Sequence, residues 1–203
     1  MEMKGEQLIS ASQQQTWSAL NDPAVLKECV PGCESIEPTG ENAYQVLMVA
    51  RVGPVSAKFK GALTLSDIVP PQSYSISFEG QGGAAGFAKG GAQVRLAAEG
   101  AQATRLSYDV KANVGGKLAQ IGSRLVDAAA KKVADDFFRN FNEKVAARSA
   151  AAGGHGEAHG GEQPHEAKPV PQDPDLPGVS GTTLSFFAAG ALVVYLVSLF
   201  ALF

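Results

Sequence analysis

The sequence predicts an α+β fold in which a curved antiparallel sheet grips a long C-terminal helix, followed by a linker and one transmembrane helix. Three observations predict it. Apolar and polar residues alternate with period two in several segments between 43 and 114. One long helical pattern follows at about 117–148. The stretch Thr182–Phe203 carries no charged side chain. Period two over so many segments means antiparallel strands with one solvated and one covered face. The division that follows is 1–149 for the folded domain, 150–180 for a Gly/Pro-rich disordered linker and 181–203 for a C-terminal transmembrane anchor.

The elements follow in chain order. Residues 3–10 read as a short strand. Ser12-x-x-Gln15 is a capping-box pattern ahead of Thr16, Trp17 and Leu20, so a helix begins there. Asp22-Pro23 opens a second short helix, with proline at its first position, and Pro31-Gly32 stops it. Residues 43–50 are apolar enough for a strand. In 55–65, Val55, Ala57, Phe59, Gly61, Leu63 and Leu65 alternate with a mostly polar set. Pro70-Pro71 breaks the chain. Tyr74, Ile76 and Phe78 then alternate with serines and Glu79, and Val94 and Leu96 with Gln93 and Arg95. Leu106, Tyr108, Val110, Ala112 and Val114 complete the pattern.

The long helix after Gly115-Gly116 covers the apolar face. Its apolar residues recur every fourth position: Ile121, Leu125, Ala129, Val133, Phe137, Phe141 and Val145. A four-residue repeat drifts by roughly 40° per step around a 3.6-residue helix. The two halves therefore present different faces. The first half is slender, with Gly122, Ser123 and Ala128-Ala129-Ala130, and the second is bulky, with Phe137, Phe138 and Phe141. Two readings stand: the slender half leaves a cavity over the sheet, or its small residues let helix and sheet approach closely. Two N-terminal helices, the sheet and this helix across it make a helix-grip fold.

The net charge of −3 is unevenly spread. Residues 1–150 carry 16 Lys/Arg against 15 Asp/Glu, residues 151–180 one Lys against five acids, and the last 23 none. No basic stripe exists, which argues against a nucleic-acid partner. The charged start Met1-Glu2-Met3-Lys4-Gly5-Glu6 has no apolar core of a signal peptide, so the domain is expected on the cytoplasmic side. Two cysteines fit a reducing compartment. Thr182–Phe203 would be about 33 Å long as a helix, enough for a ~30 Å hydrocarbon core. A core helix of that length, apolar all round, is the alternative. The arrangement is a tail anchor in the lipid bilayer of the cytoplasmic membrane.

The linker holds prolines 164, 169, 171, 174 and 177 and lacks apolar periodicity. A flexible chain of that length has an r.m.s. span of roughly 30 Å, which lets the domain range over the membrane surface. All three histidines, His155, His159 and His165, lie there; a loose metal site would need a scaffold that the linker lacks.

An enzyme would need ionisable groups in the interior. Residues 1–149 contain no histidine, and Glu79, Glu99 and Asp109 fall on the solvated face or at strand ends. Tyr44, Tyr74 and Tyr108 are the main polar handles of the inward list. No catalytic or metal residues are expected. Cys29 and Cys33 flank a Pro-Gly turn with a spacing that suits neither zinc nor a redox pair, so they read as packing residues. Residues 80–91 hold six glycines but lack the ending of a phosphate loop. They read as a bent strand pair at a cavity mouth with Phe87 as gate, or as a plain hairpin.

Four segments carry a resemblance: Cys29-Val-Pro-Gly-Cys33-Glu-Ser, Gly53-Pro-Val-Ser-Ala-Lys-Phe-Lys-Gly61, Gly80-Gln-Gly-Gly-Ala-Ala-Gly-Phe-Ala-Lys89 and Gly115-Gly-Lys-Leu-Ala-Gln-Ile-Gly-Ser-Arg-Leu125. In these the chain resembles the CoxG-type family of carbon monoxide dehydrogenase proteins, within the START-like, or SRPBCC, superfamily, over about residues 1–147. The tail resembles that of some members and not others, so the anchor rests on this sequence alone. The resemblance implies a START-like fold with a cavity for an apolar ligand. It also implies a partner, a molybdenum-containing carbon monoxide dehydrogenase or related hydroxylase, recruited to the cytoplasmic membrane. Such an enzyme is soluble, yet its electrons must reach quinone in the bilayer. The expected role is therefore a non-catalytic accessory protein that couples CO oxidation to electron transport, with a respiratory quinone as ligand and no covalently bound cofactor. A lipid or hydrophobic-ligand carrier without a redox role is the alternative. The expected lining is Phe59, Tyr74, Ile76, Phe78, Phe87, Leu96 and Tyr108 from the sheet, with Leu118, Ile121, Gly122, Leu125 and Ala129 from the helix.

Overall fold

A computed structural model describes residues 1–153. Most of the linker, and the apolar segment 181–203, lie outside the described residues; within them no helix is long and apolar enough to cross a membrane.

Seven strands form one antiparallel sheet: β1 (Glu2–Ile9), β2 (Cys33–Gly40), β3 (Ala43–Val52), β4 (Val55–Val69), β5 (Ser73–Gln81), β6 (Phe87–Ala98) and β7 (Thr104–Gly115). Their order is β1-β7-β6-β5-β4-β3-β2, so β1 and β2 are the edges. The alternation works as expected in β3 to β7. Tyr44, Val46, Met48, Ala50 and Val52 of β3 are buried, as are Leu106, Tyr108, Val110 and Ala112 of β7. Strand β2 was not expected. Its sequence CESIEPTG has little alternation, and Pro38 removes a backbone donor, which only an edge strand tolerates.

Helices α1 (Gln13–Leu20) and α2 (Pro23–Cys29) close one end. The capping box forms: Ser12 Oγ accepts from Gln15 N at 3.3 Å, and Ser12 N donates to Gln15 Oε1 at 3.1 Å. Asp22 caps α2, accepting from Ala24 N at 2.9 Å and Val25 N at 3.4 Å, and takes a further bond from Arg148 at 3.0 Å. Burial alone would raise the Asp22 pKa, but the hydrogen bonds from Arg148 and the two amides outweigh it and hold the carboxyl below its ordinary value. The carboxylate therefore stabilises the fold above the unfolded value near 3.8, and that contribution is lost as pH falls through the lower folded value. Asp22→Ala is expected to cost about 1 kcal/mol at neutral pH. In thermal melts the gap between variant and parent should shrink in acid.

The long helix is broken. Gly116 starts a short helix α3 (Lys117–Gln120), Gly122 stands at φ +93°, and α4 runs from Ser123 to Gly153. A residue at that φ cannot continue a right-handed helix. The buried face of α4 is Val126, Ala130, Val133, Ala134, Phe137, Phe138, Phe141 and Val145. The every-fourth stripe holds in the bulky half. In the slender half the drift has carried the buried line from 125 and 129 to 126 and 130. Asn142 anchors α4 to the end of β1, accepting from Ser10 N and donating to Leu8 O, both at 2.9 Å, while Asn140 donates to Cys29 O of α2 at 3.1 Å.

Candidate functional site

The face of the sheet under α3 and α4 is the candidate site. Phe59, Tyr74, Ile76, Phe78, Leu96 and Tyr108 are all buried on it, as expected, and Leu118 of α3 is buried against them. Ile121 and Ala129 are half-buried and pack on the same core. Gly122 is exposed in the joint between the helices, and Leu125 is 50% exposed.

Phe87 does not gate the interior. It opens β6 next to the buried Ala88, so it projects from the outer face, and it is 45% exposed. Its ring lies over Gly115, directly opposite in register; a Cβ at Gly115 would come within 2.2 Å of it. The glycine-rich segment is a hairpin: β5 ends at Gln81, a 3-10 turn spans Gly83–Ala85, and β6 starts at Phe87.

The two ends of the grip differ. At the α1–α2 end the interior is filled by rings. Phe137 stacks on Phe141 at 5.5 Å and meets Phe138 edge-on at 5.2 Å, and Trp17 meets Tyr74 edge-on at 5.6 Å. At the other end three connections converge: the β3–β4 turn at Gly53-Pro54, the β5–β6 turn and the β7–α3–α4 joint. Gly86 and Gly116 bring the last two into backbone contact; a Cβ on Gly116 would stand 2.4 Å from Gly86 Cα. Leu125 Cδ1 lies 3.9 Å from the position of a Cβ on Gly53. Here the apolar residues are only partly covered: Val55, Ala57, Val114, Ile121 and Ala129, with Met1 and Met3 of the edge strand. This is the open end of the grip, and it lies at the slender half of the helix.

A groove of about 320 Å³ runs between β1 and α4, lined by Met1, Met3, Gly5, Gln7 and Tyr108 on the sheet and Asp127, Lys131 and Asp135 on the helix. Tyr108 lies across Gly5, its register partner, where a Cβ would come within 2.3 Å of the hydroxyl. The ring stacks on Phe138 at 5.6 Å. The volume is at the low end for a small-molecule pocket. Sequence reasoning missed the β1 contribution, because Gly5 and Tyr108 meet only through the register of distant strands.

The interior is poor in polar groups. Among the described residues Thr16 and Thr104 are the buried polar side chains apart from tyrosines, and Thr104 Oγ1 donates to Ala11 O at 2.8 Å. Tyr74 differs: its hydroxyl is buried with no hydrogen-bond partner among the described residues. Burial pushes its pKa far up, so it remains a donor. Burial likewise pushes the Cys29 and Cys33 thiols up to about 11, which suits packing and not nucleophilic chemistry. No group of three or more metal-ligating side chains occurs among the described residues, and the three histidines lie outside them. The arrangement suits an apolar molecule that offers a hydrogen-bond acceptor.

A seven-stranded antiparallel sheet closed over by one long C-terminal helix defines the START-like class of ligand-binding folds. Solved structures agree. A START superfamily protein from Mycobacterium smegmatis matches at a TM-score of 0.56 and 11% identity, over 72% of this chain and 98% of its own. The Zhui aromatase/cyclase from Streptomyces sp. R1128 matches at 0.57 and 14%, over 76% and 98%. A conserved protein from Geobacillus kaustophilus is more similar, with a TM-score of 0.69 and 31% identity over 72% of this chain and 96% of its own. The model of the CoxG family, named for the CoxG component of carbon monoxide dehydrogenase, matches residues 5–146, and the chain belongs to that family. No curated protein matches it.

Proposed function

We propose that this chain is a non-catalytic, membrane-anchored accessory protein. It recruits a molybdenum-containing carbon monoxide dehydrogenase, or a related hydroxylase, to the cytoplasmic membrane. It holds a respiratory quinone in its apolar interior and so couples the enzyme to the electron transport chain. The observation that carries the partner is the family match over residues 5–146. The ligand part is supported by the partly covered apolar open end and by Tyr74, a buried donor facing an apolar interior. A quinone combines a flat apolar ring with carbonyl acceptors. A buried hydroxyl without a partner costs about 1–3 kcal/mol, which a ligand carbonyl would relieve. The anchor is supported by the uncharged stretch 182–203.

Solvent extraction of the purified full chain, followed by mass spectrometry, tests the ligand. A quinone in near-stoichiometric amount is the expected result. Recovery of phospholipid alone would favour the generic lipid carrier, and an empty protein would exclude both readings. Leu125→Trp puts an indole at the open end beside Gly53. It should lower recovered quinone by roughly ten-fold, on the ~1–3 kcal/mol scale of overpacking, with membrane attachment unchanged.

A further inference from the structure

We infer that the open end of the grip is itself a docking surface for an anionic lipid bilayer. Three segments meet there, 51–55, 81–89 and 115–125, and they contain Arg51, Lys89, Lys117 and Arg124 and no acidic residue. All four side chains are exposed, and none forms a salt bridge to another described residue. Elsewhere the basic residues of the sheet are largely paired, as Lys4 with Asp109, Lys58 with Glu34, Arg105 with Glu6 and Lys111 with Glu2. The acids bordering the patch are Glu79, opposite Lys89 in register, and Asp127 on α4. Two of the four large exposed apolar side chains of the described residues, Phe87 and Leu125, stand within this cationic rim. Apolar side chains ringed by unpaired cations match a membrane interface: the cations meet lipid phosphates and the apolar groups enter the headgroup–acyl boundary.

The geometry of the tether permits it. Helix α4 carries the chain about 46 Å away from the open end. Residues 154–180, fully extended, span at most about 90 Å, so the domain can turn its open end toward the bilayer that holds residues 181–203. The surface thus rests on the membrane reading for its reach, while its chemistry stands apart from the identity of the ligand.

Hydrogen exchange of the full chain tests the inference on two kinds of vesicle: phosphatidylcholine alone, and phosphatidylcholine with about 30% phosphatidylglycerol. Exchange in 81–89 and 115–125 should slow by about ten-fold on the anionic vesicles only, with 131–145 unchanged, and revert at about 0.5 M salt. Lys117→Glu with Arg124→Glu, both at exposed positions, should abolish the effect without changing the melting temperature. Equal exchange on both vesicles would overturn the inference. So would protection that arises only when the dehydrogenase is added, which would mark a protein-docking face. If residues 181–203 do not hold the chain to bilayers, it will not float with phosphatidylcholine vesicles. Flotation with the anionic vesicles alone then reports this surface, so failure of the anchor and failure of the inference are distinct results.

Discussion

Deletion of residues 180–203 should move this protein, and the dehydrogenase it holds, from the membrane to the soluble fraction almost completely. The stretch 182–203 contains twelve Leu, Val and Phe residues. At about −0.3 to −0.6 kcal/mol each in a bilayer, they sum to about 5 kcal/mol, a partition of over roughly a thousand-fold. The charged groups at the open end supply a weaker contact that salt screens. Fractionation should therefore include a wash at about 0.5 M salt, after which the truncated protein and the enzyme stay in the supernatant together. Two other outcomes are informative. Membrane-bound enzyme beside soluble truncated protein would mean that recruitment has another agent. Truncated protein that still sediments would mean that the apolar stretch is not the anchor.

Tyr74→Phe should change stability and loading in opposite directions. In the ligand-free protein the hydroxyl is buried without a partner among the described residues. Its removal should stabilise the fold by about 1–2 kcal/mol, within the cost of an unmade buried hydrogen bond. For a domain of this size that raises the melting temperature by about 2–4 °C per kcal/mol. If the ligand accepts a bond from this phenol, the same variant binds it about ten-fold more weakly, since a typical hydrogen bond contributes about 1 kcal/mol and a good one more. A purely packing role would move the first quantity and leave the second unchanged. Because burial keeps the phenol protonated, neither effect should vary with pH across the physiological range.

Much of the fold was legible in the sequence because local rules and burial agreed. Ser12 and Gln15 form the expected capping box, Asp22-Pro23 the expected helix start, and the strands from Ala43 to Gly115 bury the expected alternate side chains. The differences have physical causes. Strand β2 is an edge, and an edge needs no apolar alternation to pair; its bonds to β3 suffice. Gly122 was visible as a small residue of the slender half, but a break depends on its φ, which composition does not reveal. Leu125 fell on the expected stripe, yet the drift of a four-residue repeat left it at the margin of the buried face.

The site was legible in part for the same reasons. The sheet residues expected to line it are buried there, except Phe87. Around Phe87, alanine and glycine neighbours remove the apolar–polar contrast that would mark the faces, so its direction was open. The groove beside β1 was out of reach, because it depends on Gly5 and Tyr108 pairing across the register. The unpaired state of the Tyr74 hydroxyl is likewise a property of packing. The tyrosine could be picked out as a polar handle, but not as the buried donor without a partner.

The coupling of enzyme to bilayer quinone is tested most directly by CO-dependent quinone reduction. The partner dehydrogenase is added to vesicles containing quinone, with the full chain, with the chain truncated at 179, or with neither. The account predicts rapid reduction with the full chain alone, and slow reduction in the other two cases. Equal rates in all three would contradict it.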